Sequence, residues 1–231
     1  MVLNNFREHL GKFINRPVRF FVKHEVTPNQ LSFVGFLLCL TVAVMLGFDF
    51  LHNFWLAGLV PLTMLASGAF DVFDGAVARE TGKNSAFGGF LDSTLDRFSD
   101  AAIFLGLVLG GYCHVVVGFL SVASALLISY VRSRAEFEGV DMKGVGFLER
   151  AERFFILMGA AVADAFIYAF TDGTFANPNF SYWNFFWWFS VIFLVLMDVT
   201  IAQRVVYAYR ALKKVDLESD EPRSEAASAK G

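Results

Sequence analysis

Between Asp71 and Asp96 the chain reads DVFDGAVARETGKNSAFGGFLDSTLD. Four carboxylates, Asp71, Asp74, Asp92 and Asp96, stand there at the polar ends of two apolar runs, 54–70 and 101–110. Uncompensated charge beside apolar spans is expensive and marks function. At helical spacing Asp71 and Asp74 are i, i+3, with Gly75 and Ala78 following on the same face, while Asp92 and Asp96 are i, i+4 with Gly88 one turn earlier. The segment 80–87 is polar and small enough to form a hairpin, so the two acidic stripes are expected to face each other across an antiparallel helix pair. At ~4 Å and an effective dielectric of ~20, each like-charged pair costs roughly 4 kcal/mol. Two divalent cations would cancel four carboxylates. Mg²⁺ or Mn²⁺ suits such an all-oxygen set and leaves positions for water or phosphate. Two such ions stabilise the attacking and leaving oxygens of a displacement at phosphorus.

The residues between the acids suit a phosphate ester. Gly75 and Gly88 remove side chains where a bulky ligand must approach helix backbone, and Ala78 continues the clearance. Arg79 offers a charge-assisted fork for a diphosphate oxygen. The spacing Asp71-x2-Asp74-Gly75-x2-Ala78-Arg79-x8-Gly88-x3-Asp92-x3-Asp96 matches, without gap or substitution, the signature of the CDP-alcohol phosphotransferase family. The chain resembles that family, and the resemblance implies an all-α membrane enzyme of six transmembrane helices that works as a homodimer. It further implies two metal ions, and transfer of a phosphatidyl-type group from a CDP-linked lipid to an alcohol with release of CMP. Carried over by position, Asp71, Asp74 and Asp92 become metal ligands, Asp96 the general base and a further ligand, and Gly75, Ala78, Arg79 and Gly88 the CDP-lipid contacts. A plainer reading is a helix hairpin whose acids pair with Arg79, Lys83 and Arg97.

Composition agrees with a membrane location. Of 231 residues, 56% are hydrophobic and 16% aromatic, with a mean hydropathy of +0.53, which describes one polytopic membrane domain. A net charge of −3 gives no reason to expect nucleic acid, and Cys39 and Cys113, in or beside apolar segments, read as core thiols. Residues 1–24 place Leu3, Phe6, Leu10, Phe13, Ile14 and Phe21 at helical spacing between basic residues, which predicts an amphipathic helix on the membrane surface; no cleavable signal is expected. Thr27-Pro28-Asn29-Gln30 has the capping-box pattern with proline at the first helical position. Within a membrane domain spanning 27–212, spans are expected at 31–48, 54–79, 89–110, 112–134, 150–170 and 183–209, followed by a disordered tail over 216–231. Aromatic residues near 180–188 suggest an interfacial belt.

Lysine and arginine alternate along this plan. Five fall in 1–24, none in 49–53, three around the hairpin, none in 110–114, five from Arg132 to Arg153, none in 171–183 and six from Arg204 onward. The positive-inside rule then puts both termini and the four acids on the cytoplasmic face of the cell membrane. Arg153 and Arg204 would lie inside the membrane boundary, where they need an anionic partner, and a phosphorylated acceptor supplies one. The segments YVRSRAE and ERAER resemble the branch of the family that makes phosphatidylinositol phosphate or archaetidylinositol phosphate. That resemblance implies inositol 1-phosphate as acceptor, with Arg132, Arg153 and Arg204 holding its phosphate and Arg134 and Arg150 nearby. Asp100 either touches the acceptor's hydroxyls or pairs with an arginine. Glycerol 3-phosphate is the alternative acceptor. A divalent-cation transporter and a non-catalytic lipid-binding protein are the alternatives outside this chemistry.

Overall fold

The computed structural model describes residues 14–53, 55–171 and 185–228, with side chains described as far as Lys214. Among these residues all regular structure is helical. A helix over 14–23 (α1) is followed by α2 (Pro28–Gly47), a single 3-10 turn (Phe50–His52), α3 (Leu59–Thr81), α4 (Ala86–Leu109), α5 (Val115–Phe137), α6 (Arg150–Phe170) and α7 (Phe185–Ser228). Residues 1–13, half of the expected surface helix, and 172–184, most of the expected aromatic belt, lie outside the described residues.

Local chemistry sets the helix ends. Thr27 Oγ1 accepts from the Gln30 amide at 3.4 Å, and Gln30 Oε1 accepts from the Thr27 amide at 2.9 Å, so the capping box starts α2 at Pro28 as its sequence predicts. α3 stops at Gly82, whose φ of +66° suits a residue without a Cβ. α4 starts three residues before the expected Gly89, because Ser85 Oγ accepts from the Gly88 amide at 2.9 Å. The hairpin between the acidic helices is therefore tighter than the run of polar residues suggests. At the other end of the chain, α7 stays helical to Ser228, through the segment whose composition suggests disorder.

The bundle is organised around α2, which packs along both α3 and α4; α5 bridges α4 and α7, and α6 packs against α3 and α7. Its core joins Val42 and Leu46 of α2, Met64 of α3, Phe104 and Leu107 of α4, Ile128 of α5, Leu157 of α6, and Phe193 and Met197 of α7. A Cβ on Gly106 would stand 2.4 Å from the Ala43 carbonyl oxygen, so only glycine allows this approach of α4 to α2. α1 lays Ile14, Val18, Phe21 and Val22 against Leu31 and Val77, and leaves Arg16, Arg19 and Lys23 exposed. Phe33, Leu37, Leu62, Leu65, Phe98, Phe119, Phe155, Ile192 and Val195 point outward around the bundle. A water-soluble domain could not carry that much exposed apolar surface, whereas lipid tails solvate it.

α2, α3, α5, α6 and the Phe185–Lys214 part of α7 are long and apolar enough to cross a membrane, so the protein is a multi-pass membrane protein. α4 is 24 residues long but carries Asp92, Asp96, Arg97 and Asp100.

The end of the bundle opposite the acidic hairpin is tied by a buried polar knot. His52 Nε2 meets Asp164 Oδ2 at 3.0 Å, and Asp164 is fully buried. His52 Nδ1 lies 2.7 Å from Asp49 Oδ1 without the alignment of a hydrogen bond, so that contact is one of charge. Tyr112 donates to Asp49 at 2.6 Å, and its ring and that of Tyr168 flank the imidazole. Burial alone would keep His52 neutral, but Asp164 and Asp49 outweigh it and push the pKa up to about 9. The unfolded imidazole titrates near ~6.5, so the knot contributes its full stability below that pH and loses it as pH rises through about 9. In thermal unfolding of the detergent-solubilised protein, the midpoint of the wild type is expected to fall between pH 6.5 and pH 10, while His52→Gln starts lower and changes less across that window.

Candidate active site

At the hairpin end, α3 and α4 present their acids to each other as helical spacing predicts. Asp71, Asp74 and Asp92 bring one carboxylate oxygen each to within 4.8 Å of one another. Three carboxylates converging so closely fit a divalent cation with open positions for water or phosphate. Asp74 is buried, and its Oδ2 accepts from Ser32 of α2 at 2.5 Å, which fixes the direction of one ligand. Nothing in the pattern of acids pointed to Ser32. It emerges only because α2 packs into the angle between α3 and α4.

Asp96 stands one turn along α4 and joins Asp71, Asp92 and Ser32 in lining one narrow crevice. It is not among the three converging oxygens. Its Oδ1 is held by Arg150 at 2.8 Å, and the same guanidinium reaches Asp71 Oδ2 at 2.7 Å. The cation that faces the acids is thus Arg150, at the first position of α6, more directly than Arg79, Lys83 or Arg97. Arg97 approaches Asp96 at only 3.6 Å. Sequence reading groups Arg150 with the acceptor arginines, and the fold gives it a second contact with the acids.

Gly75, Ala78 and Gly88 line a cavity of about 200 Å³ together with Asp74 and Asp92. Pro28, Asn29 and Ser32 close it from α2, and Lys83 and Asn84 from the hairpin. A Cβ on Gly88 would come within 3.1 Å of Asn29 Oδ1, so glycine keeps this wall thin. Arg79 is exposed and folds back along α3 towards Gly75, outside the set of lining residues.

On the other side of Asp96 opens a larger cavity of about 410 Å³, and Arg132, Arg153 and Arg204 all line it. Arg153 and Arg204 are almost fully buried. Arg153 donates to Asp100 at 2.7 Å and to the Leu148 carbonyl at 3.4 Å. Arg204 donates to the carbonyls of Val145 at 2.9 Å and Ile128 at 2.7 Å. Both guanidiniums are therefore held in place while the cavity still reaches them. Arg132 pairs with Glu136 at 2.9 Å on the rim. Asp100 is resolved as the partner of Arg153. Arg134 turns to Glu138 and the ring of Phe137, and is not among the lining residues.

In this all-helical membrane bundle the narrow crevice shares Asp92 with the cavity lined by carboxylates and glycines, and Asp96 with the cavity walled by anchored arginines. The model of the CDP-alcohol phosphatidyltransferase family matches residues 25–196, and the chain belongs to this family of membrane transferases. It is 42% identical over 166 residues to the archaetidylinositol phosphate synthase of Pyrococcus horikoshii, covering 71% of this chain and 84% of that protein. It is 35% identical over 215 residues to the archaetidylinositol phosphate synthase of Methanothermobacter thermautotrophicus, covering 92% and 96%. The fold is similar to crystal structures of the phosphatidylinositol phosphate synthase of Mycobacterium tuberculosis. With CDP-DAG bound, that structure gives a TM-score of 0.65 at 26% identity, covering 86% of this chain and 94% of that one. In complex with manganese and citrate it gives 0.66 at 27%, covering 85% and 88%.

Removing Arg153 would strand Asp100 against the bundle without its counter-charge. Arg153→Ala is expected to lower stability by about 3 kcal/mol, read as a drop in the thermal unfolding midpoint in detergent. The double variant Arg153→Ala/Asp100→Ala is expected to recover much of that loss, because it removes the stranded charge as well.

Proposed function

We propose that this transferase moves a phosphatidyl or archaetidyl group from a CDP-linked lipid to inositol 1-phosphate and releases CMP. The observation that carries this reading is the position of Asp96, between the carboxylate cluster and a cavity walled by three arginines. A phosphorylated acceptor suits a cavity walled by Arg132 and by the anchored guanidiniums of Arg153 and Arg204, which keep N–H donors beyond those spent on Asp100 and the carbonyls. The archaetidylinositol phosphate synthases among its relatives support the choice of acceptor.

In this reading Asp71, Asp74 and Asp92 hold a divalent cation, Mg²⁺ or Mn²⁺, and Asp96 with its neighbours contributes to a second. The manganese-bound structure of the mycobacterial relative supports use of such an ion. Bound there, the ions would neutralise the diphosphate and stabilise the leaving phosphate oxygen of CMP. The chain's own residues do the rest. Gly75, Ala78 and Gly88 give the nucleotide and diphosphate room against α3 and α4, and Arg79 lies close enough to swing towards a diphosphate oxygen. Arg132, Arg153 and Arg204 hold the acceptor's phosphate, which directs the inositol ring towards Asp96. A ring hydroxyl oxygen forms the new bond to the lipid-linked phosphorus as the bond from that phosphorus to the CMP oxygen breaks, and the hydroxyl proton passes to Asp96. Arg150, already on Asp96 and Asp71, keeps the base aimed at the boundary between the cavities.

We further propose that α4 is the sixth span and that the acidic end faces the cytoplasm, as the distribution of lysine and arginine suggests. The homodimer rests on the family resemblance, and α1 lies on the membrane surface beside the site.

The test is CMP release by the full-length protein in lipid nanodiscs with Mg²⁺ and CDP-diacylglycerol or CDP-archaeol, offering inositol 1-phosphate, glycerol 3-phosphate, inositol and serine in parallel. Release with inositol 1-phosphate, reduced about 10²–10⁴-fold by Asp96→Asn, is expected. Release with glycerol 3-phosphate alone would keep the chemistry and overturn the acceptor.

A further inference from the structure

The arginine-walled cavity is not uniformly cationic, because Glu149 lines it as well. Glu149 is the N-cap residue of α6. The short side chains of Ser, Thr, Asp and Asn in that position accept a backbone N–H from the first turn, and glutamate is one methylene longer. Glu149 makes no such bond. Its Oε1 is buried without a hydrogen-bond partner, and the Arg204 guanidinium stands 3.9 Å away, beyond hydrogen-bond reach. The hydrogen bonds that the cavity's arginines make within the protein go to other groups: Arg204 Nε and Nη1 to two carbonyls, Arg153 to Asp100 and Leu148, and Arg132 to Glu136.

A buried carboxylate oxygen needs a donor. The phosphate of an acceptor cannot provide one, since it is itself anionic and offers only acceptor oxygens. A hydroxyl can. A hydrogen bond accepted by a carboxylate is stronger than one between neutral groups. Glu149 therefore has the chemistry to read the part of the acceptor that the arginines do not.

We infer that Glu149 accepts a hydrogen bond from a ring hydroxyl of a polyol phosphate whose phosphate sits on Arg132, Arg153 and Arg204, and so favours acceptors that carry a hydroxyl at that position of the ring. This rests on the acceptor reading above. A site built to bond a substrate hydroxyl discriminates strongly against an analogue that lacks it, because the site's own group is left unpaired. Asp96 takes the proton of the attacking hydroxyl, and Glu149 marks a different one.

The test uses the full-length protein in nanodiscs with CDP-lipid and Mg²⁺. CMP release is measured with inositol 1-phosphate and with a series of its monodeoxy analogues, for the wild type, Glu149→Gln and Glu149→Asp. Inorganic phosphate serves as a competitive inhibitor that reports on the arginines alone. Glu149→Gln is expected to raise KM for inositol 1-phosphate about tenfold to a hundredfold, with little change in kcat and an unchanged inhibition constant for phosphate. One deoxy analogue should react equally with wild type and variant. Inhibition by phosphate weakening in parallel with the KM change would overturn the inference, because Glu149 would then act only by positioning Arg204. An unchanged KM would overturn it too. Should the variants fail to fold, the deoxy series on the wild type decides alone, and no analogue losing more than about twofold, well below one hydrogen bond to a charged group, contradicts the inference. If wild type releases CMP with glycerol 3-phosphate and not with inositol 1-phosphate, the acceptor reading itself has failed; if it works with inositol 1-phosphate and Glu149→Gln is indistinguishable from it, only the role of Glu149 has.

Discussion

Charge compensation inside an apolar bundle is the constraint on which this structure depends. α3 and α4 carry Asp71, Asp74, Asp92, Asp96 and Asp100 along facing stripes. Left to themselves these acids would repel one another and forfeit hydration, and helices bearing them would not pack. The bundle answers with cations drawn from a different helix. Arg150 and Arg153, one turn apart at the start of α6, reach Asp71, Asp96 and Asp100 across the cavity. α6 is thereby docked on α3 and α4 by the same contacts that shape the site.

The remainder of the fold holds those partners at fixed distances. α2 has no charged residue, yet it is the element through which the site is made rigid: Gly106 lets α4 approach its backbone, and Ser32 takes hold of Asp74. α7 contributes Arg204, locked by carbonyls from α5 and the α5–α6 connection. At the opposite end the His52–Asp164 contact joins the α2–α3 connection to α6. The two ends of α6 are thus fastened by ionic contacts and its middle by apolar packing, which suits a helix that must carry two catalytic-end arginines without tilting. A rigid frame of this kind favours chemistry that relies on positioning, as phosphoryl transfer does.

Much of this was legible in the chain. The spacing of the four acids and the small residues between them is a local, helical pattern, so it survived folding unchanged. The capping box at Thr27 is equally local, and it set the start of α2. Arg153 and Arg204 stand out in the sequence because charge inside an apolar span demands a partner, whereas Arg132 is picked out only by the family resemblance. What the chain does not disclose is long-range: Arg150 turning to the acids, Ser32 reaching Asp74, and Arg153 being the arginine that pairs with Asp100. Each joins residues from different helices, and no periodicity within one helix encodes such a meeting. The connection between α3 and α4 is shorter than its polar composition suggests, because the Ser85 cap starts α4 at Ala86.

In the proposed function, Asp71, Asp74 and Asp92 converge to hold a divalent cation on which the CDP-lipid is bound. The most direct measurement is Mn²⁺ binding to the full-length protein in nanodiscs, followed by electron paramagnetic resonance for the wild type and for Asp71→Asn, Asp74→Asn and Asp92→Asn. The account predicts binding by the wild type that tightens when CDP-lipid is present, and that weakens by at least about tenfold in each variant. Binding that is unchanged in all three variants, with CMP release also unchanged, would contradict it.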